Sequence, residues 1–290
     1  MLRPQRVLIY YNSLRRKAKS RAQRYSDYFL TYLGADQLSV IASSPSREHD
    51  LQRIKQALHG VDELVVVGGD GSINLVAQII AFSSVRLSII SAGTGNDFAR
   101  DLGLGDWRWR MQETVQSECI AIGKAGHEYF VNHAGSGLSS DLIDLQPRWL
   151  KHSFGRLSYT LALLRYLFGP LTRRQSIYRQ GQWYDCQIAA ISRYIGGGIP
   201  VNPIGSRQHH ELQWLAVRRS SRWQQLQSLW WVLRGARGDC AYIEYERASH
   251  CELGSADARY ELDGDRRGVG PVIIECIPQA LTVLRPAVTT

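Results

Sequence analysis

Short apolar runs alternate with amphipathic stretches along the first 120 residues. "RVLIYYN" (6–12), "LSVIAS" (38–43), "ELVVVG" (63–68) and "RLSIIS" (86–91) predict four buried strands. Between them, the spacing of apolar positions predicts helices over 17–33, 46–58 and about Ser72 to Ala81, the first two closing at Gly34 and Gly60. Strands that lack polar alternation and are separated by helices indicate a mostly parallel sheet covered on both faces. From about residue 119 the pattern changes to β signals broken by glycine-rich turns. Examples are "IYRQGQWYDCQIAAISR", "ELQWLAVRR", "ARYELDGD", "PVIIECIP" and "ALTVLRP". Two helical stretches, 154–168 and 221–234, interrupt them. The expectation is an α/β domain with a mostly parallel sheet, followed by a β-rich antiparallel, sandwich-like second domain.

Composition narrows the setting. The 290 residues suffice for two domains, and 44% hydrophobic with 21% charged residues is a globular profile. A formal net charge of +9 favours an anionic partner: nucleic acid, an acidic membrane face or a phosphate-bearing substrate. Five scattered cysteines without CxxC spacing argue against a disulfide framework or zinc site and for a reducing compartment. No segment reaches the roughly 18 uninterrupted apolar residues of a membrane span. The expected setting is cytoplasmic, with peripheral contact to an anionic membrane surface.

Chemistry concentrates at two strand ends. "VVVGGDGSIN" carries a strand into Gly68, Gly69, Asp70, Gly71 and Ser72, and then into a helix. Ligands of open parallel sheets bind beyond the carboxyl ends of strands, where helix N-termini present unpaired amides. Glycines let those amides approach phosphate oxygens. An aspartate among them suits a Mg²⁺-nucleotide, because the cation separates the two negative charges. A tight turn with Asp70 as N-cap is the plain alternative. One strand later, "IISAGTGNDFARDLGL" repeats the arrangement with Gly93, Thr94, Asn96 and Asp97. Adjacent parallel strands put both loops on one rim, with Asp70 and Asp97 as candidate metal ligands.

These motifs resemble the bacterial diacylglycerol kinase-like lipid kinases. "GGDGSIN" is similar to that family's GGDGTxN, and "GTGNDFARDLGL" to its GTxNDFAxxLG. Further likeness runs through "YFVNHAGSGLSSDL", "FGRLSYTLALLR", "GGGIPVNP", "YELDGDRR" and "PQALTVLRP", nearly the whole chain. The resemblance implies an ATP-binding kinase domain over 1–120, completed by about 280–290, and a lipid-substrate domain over 121–279. It implies ATP contacts at Gly68 to Ser72 and Thr94, with Ser43 and Asn12 as lesser candidates. It also places the family's DGE motif on Asp263-Gly264-Asp265, with Asp265 as general base on a lipid hydroxyl. Taken alone, "ELDGDRR" reads as a hairpin turn.

The chain departs from the family in places. The loop "YYNSLRRKAKS" keeps Asn12 but lacks the family's glycine and proline. The DGxLD segment reads "HHELQ" at 209–213, which weakens a hard-cation site there. "RWLKHSFGRLSYTLALLRYLF" (148–168), "WRWR" (107–110) and "LWWVLRGAR" (229–237) each suit either domain packing or a membrane interface. The expected function is an ATP- and Mg²⁺-dependent lipid kinase converting diacylglycerol to phosphatidic acid. An NAD kinase-like enzyme and a weakly active nucleotide-binding membrane adaptor are the competitors. No nucleic-acid recognition module is visible.

Overall fold

The computed structural model describes residues 4–112, 114–145, 175–203, 205–208, 210–235 and 239–287. The helix expected over 154–168, the 148–168 membrane candidate and His209 lie outside the described residues. The chain divides into two compact units. One comprises the residues up to Ala121 and those from Gln279 onward; the other is Ile122–Pro278.

The first unit opens with β1 (Val7–Tyr11), α1 (Arg16–Leu30), β2 (Leu38–Ala42), α2 (Arg47–Ala57), β3 (Glu63–Gly68), α3 (Asp70–Ile80), β4 (Arg86–Ser91) and the short α4 (Asp97–Asp101). The strands lie in the order β2-β1-β3-β4, all parallel. Every residue of β3 is buried, as expected of a central strand covered on both faces. Helix α1 buries Ala18, Ala22, Tyr25 and Phe29, the i, i+4, i+7, i+11 stripe of one helical face. Helix α2 starts at Ser46, whose side chain accepts from the His49 amide.

Helix α3 begins at Asp70, two residues earlier than the apolar spacing predicts. Gly69, in extended conformation, is its N-cap and brings no side-chain cap. Asp70 therefore does not cap its own helix; its carboxylate turns elsewhere. The "WRWR" segment also resolves: Trp109 is buried and its indole donates to the Ile89 carbonyl at 2.8 Å. Arg110 is buried too and makes a two-pronged pair with Glu63, at 2.7 Å on each oxygen. Ser88 adds a third donor to Glu63 at 2.6 Å. Trp109 and Arg110 are therefore packing residues and not a membrane contact.

The second unit takes over β5 (Val115–Ala125) from Ile122 onward and continues with β6 (Glu128–Phe130), β7 (His133–Gly137) and α5 (Leu138–Leu145). After these come β8 (Ile177–Arg179), β9 (Gln182–Ala190), β10 (Tyr194–Ile195), β11 (Ile199–Pro200) and β12 (Leu212–Arg218). Helix α6 (Arg222–Leu233), β13 (Ile243–Ala248), β14 (His250–Leu253), β15 (Arg259–Leu262), β16 (Asp265–Val269) and β17 (Val272–Pro286) complete the chain. The main sheet is antiparallel, β13-β12-β9-β7-β15-β16, with β8 beside β9.

"PVIIECIP" and "ALTVLRP" are one strand, β17, rather than two. Its first residues pair with β14, and Thr282 and Val283 pair in parallel with β4. The change of partner falls at Pro278-Gln279, where proline has no amide to donate and Gln279 adopts φ 50.

Glu63 sits in the central strand with no water to solvate it, so removing either charge leaves the other stranded. Glu63→Ala is expected to destabilise the first unit by about 3–5 kcal/mol, read from its denaturant midpoint. An unchanged midpoint would remove the pair from the account of stability.

Candidate functional site

In the first unit, the predicted residues gather at the carboxyl ends of four neighbouring strands. Ser43 follows β2, Asn12 follows β1, Gly68 ends β3, and Gly93 and Thr94 follow β4. Ser13 ties the first two ends together: its amide donates to the Ser43 hydroxyl at 2.9 Å, and its hydroxyl donates to the Ser43 carbonyl at 2.8 Å. Asn12 accepts from the Leu14 amide at 3.0 Å. Thr94 is exposed and accepts from Arg15 at 3.3 Å, so the basic start of α1 reaches this rim.

Two glycines are needed here for close approach. A Cβ on Gly93 would stand 2.6 Å from the Gly69 Cα and 2.8 Å from the Asn96 side-chain Oδ1. Asn96, at φ 51, closes its amide side chain onto both backbone groups of Gly93, at 2.9 and 3.0 Å. Gly71 differs, because a Cβ there would meet nothing within 4 Å. Its face of the first turn of α3 is open, which fits the close approach of a phosphate to helix amides.

Asp70 joins the two loops. Its carboxylate accepts from the amides of Phe98 (2.9 Å) and Asp97 (3.2 Å), capping α4 from outside. Ser72 packs under Gly68, where a Cβ would lie 2.5 Å from its hydroxyl oxygen. Asp97 is buried and paired with Arg100 at 2.6 Å. Among the described residues, no group of three or more histidine, cysteine or acidic side chains is arranged to hold a metal. The donors that fit a cation on this rim are Asp70 and the exposed hydroxyl of Thr94, alongside the oxygens of a bound nucleotide.

In the second unit, Asp263-Gly264 forms the two-residue turn between β15 and β16, with φ values of 52 and 83. Positive φ at both positions is the hairpin geometry that Asp-Gly favours. Asp263 accepts from three consecutive amides, Val131 (2.7 Å), Asn132 (2.7 Å) and His133 (3.1 Å). It is a clamp on the β6–β7 connection. Asp265, the first residue of β16, has a side chain 57% exposed and 3.7 Å from Arg267.

A residue absent from the sequence-based set lies two positions before the turn. Glu261 is buried and accepts from the Gly264 amide (2.7 Å) and the Ser139 hydroxyl (2.6 Å), and it pairs with His133 at 3.1 Å. Burial is the largest influence on its carboxyl and alone would raise the pKa. The charge and hydrogen bond of His133, with the Ser139 and Gly264 donors, outweigh it and hold the group below the ordinary glutamate range. One signal was available: in "RYELDGD", Glu261 occupies an inward position of a strand, where an apolar residue is the norm.

Glu261, His133 and Ser139 line one side of a cavity of about 170 Å³. The rest of its lining is mostly apolar, with Leu138, Leu142, Ile188, Leu215 and Val232, interrupted by Asp185, Gln225 and Ser228. Cys186 also lines it, and burial pushes that thiol up to about 12. Gln213, in the "HHELQ" segment, donates its side-chain amide to the Glu246 carbonyl at 3.1 Å, a neutral group where the family segment carries an acid.

Two family models match this chain: the diacylglycerol kinase catalytic domain over residues 6–125 and the YegS C-terminal NAD kinase beta sandwich-like domain over 143–285. A diacylglycerol kinase of Mycobacterium tuberculosis is 26% identical over 273 residues, covering 89% of this chain and 87% of its own. A diacylglycerol kinase of Bacillus subtilis is 27% identical, covering 74% and 75%. Among solved structures, a diacylglycerol kinase from Bacillus anthracis str. Sterne superposes with a TM-score of 0.72 at 18% identity, covering all of both chains. The last comparison bears on fold alone.

Two outcomes are expected. Asp70→Ala removes the acceptor for two amides of α4 and should cost the first unit about 1–2 kcal/mol, measured by chemical denaturation. Glu261 has a lower pKa folded than unfolded, so its ionisation stabilises the second unit above the unfolded value, near pH 4.3. That contribution is lost as pH falls through the folded value. The stability gap between wild type and Glu261→Gln should therefore narrow as pH drops from 6 to 3; a constant gap would mean the carboxylate charge contributes nothing.

Proposed function

The chain belongs to the bacterial diacylglycerol kinase-like family of lipid kinases, and from that premise we propose that it transfers the γ-phosphoryl group of Mg²⁺-ATP to a hydroxyl of diacylglycerol. The observation that carries this reading is the cavity of the second unit, apolar along its walls with a charged, hydrogen-bonding group on one side. Such a site suits an acyl-bearing molecule with a polar head.

The residues divide the work. Gly69, Gly71 and the first turn of α3 would hold the nucleotide phosphates through backbone amides, supported by Thr94 and Arg15. Asp70, already fixed by α4, would face the metal, with Asp97 orienting Arg100 behind it. Bound Mg²⁺-ATP supplies the phosphoryl group and neutralises its charge. Within the second unit, Glu261 holds the Gly264 amide and so orients the turn that ends at Asp265. Asp263 fixes the same turn from its other side. Asp265 is the proposed general base on the lipid hydroxyl, one methylene shorter than the glutamate the family motif carries.

A labelled-ATP assay over diacylglycerol, phosphatidylglycerol, ceramide, sphingosine and NAD tests the reading. Label is expected in diacylglycerol. Asp265→Asn should lower that rate by about 10²-fold or more while nucleotide binding stays intact, and Asp265→Glu should retain turnover. Label in NAD would favour the NAD kinase-like alternative. Absence of lipid-dependent ATP consumption would favour the adaptor. Full turnover in Asp265→Asn would remove that residue from the mechanism.

A further inference from the structure

Helix α6 turns one face to the cavity and exposes two indoles on the other. Gln225, Ser228, Leu229 and Val232 line the cavity. Trp223, Gln227, Trp230 and Arg234 stand at i, i+4, i+7 and i+11, and all four are exposed, the two indoles by 70% and 58%. At about 100° per residue, the indole stripe lies roughly 170° around the helix from the cavity stripe. Arg234 stacks on Trp230 at 4.8 Å from the ring centroid. A capping box of Ser221 and Gln224 fixes the start of the helix. Just before it, Arg219 lies 5.7 Å from the ring of Trp183, itself beside the half-exposed Tyr178. Residues 219–238 include four arginines and no aspartate or glutamate.

We infer that α6 is the element by which this protein docks on an anionic bilayer, with its outer indoles at the headgroup level and its inner face serving the lipid cavity. The inference rests on the lipid kinase reading for the identity of the cavity's occupant, but the docking surface stands on its own geometry. Indole rings favour the boundary between water and hydrocarbon, being apolar in body and polar at one edge. The arginines of this stretch, which contains no acidic residue of its own, supply the charge that acidic headgroups complement. A protein partner would meet the same indole stripe, but a segment that carries arginines and no acid of its own matches a surface of one sign. The bilayer is the occupant that also carries the substrate.

The test uses the full chain and vesicles of phosphatidylcholine, alone or mixed with phosphatidylglycerol. Wild type should cosediment with the mixed vesicles, and brominated acyl chains should quench its tryptophan fluorescence. The double substitution Trp223→Ala, Trp230→Ala should reduce partitioning by about 10-fold or more and remove most of that quenching. Arg219→Gln with Arg234→Gln should reduce only the phosphatidylglycerol-dependent part. Phosphorylation of vesicle-embedded diacylglycerol should fall in the tryptophan variant, while that of a short-chain, water-soluble diacylglycerol should not. Equal partitioning of wild type and tryptophan variant overturns the inference. So does a lipid-free dimer that the tryptophan substitutions dissociate, which would assign the face to a second copy. If wild type phosphorylates neither substrate, the kinase reading fails, and the vesicle and quenching results still decide the docking surface.

Discussion

The geometry of the rim at the carboxyl ends of the parallel strands depends on two backbones touching. Gly69 and Gly93 approach so closely that a methyl group on Gly93 would stand 2.6 Å from the neighbouring Cα. That approach brings the β3–α3 turn against the β4–α4 turn and lets Asp70 reach the amides of residues 97 and 98. The two loops thus form one rigid edge. Gly71 belongs to a different class of glycine, required by nothing in the protein and open on its outer side. Close packing explains the first pair, while the third leaves the first turn of α3 open on its outer side.

The acidic residues show a second regularity. Asp70 and Asp263 each clamp consecutive backbone amides, and Glu63 and Glu261 each pair with a cation in the interior. A carboxylate surrounded by donors is held in orientation, so it can fix a loop. Each of the four stabilises a connection near a strand end. Asp265 is different: it is mostly exposed, on a turn whose position its neighbours Asp263 and Glu261 determine.

The parallel half was legible in the sequence because its strands are uninterrupted apolar runs and its glycine loops sit where α/β sheets bind ligands. The starting point of α3 was not, since a glycine cap leaves no side-chain signature and Asp70 serves another helix. Residues such as Asn12, Ser43 and Thr94 share a rim because their strands are neighbours, which the pattern of alternation implies. Glu261 and His133 were illegible as a pair: they are far apart in the chain and meet only because β15 pairs with β7. The role of "WRWR" turned on Glu63, a charge hidden in an apolar strand that needed a cationic partner.

Helix α6 was ambiguous for a physical reason. A helix that buries one side and exposes indoles on the other has no single apolar face, so periodicity cannot separate packing from membrane contact. The substrate class supplies the missing constraint. Each methylene of an acyl chain costs about 0.8 kcal/mol to expose to water, so a long-chain lipid crosses into a protein only along continuous apolar surface. In the docking inferred above, a wall with one face on the cavity and the other on the bilayer would shorten that path to the thickness of a helix. The same docking would favour arginine over acid around the indoles, because a carboxylate there would meet anionic headgroups with like charge.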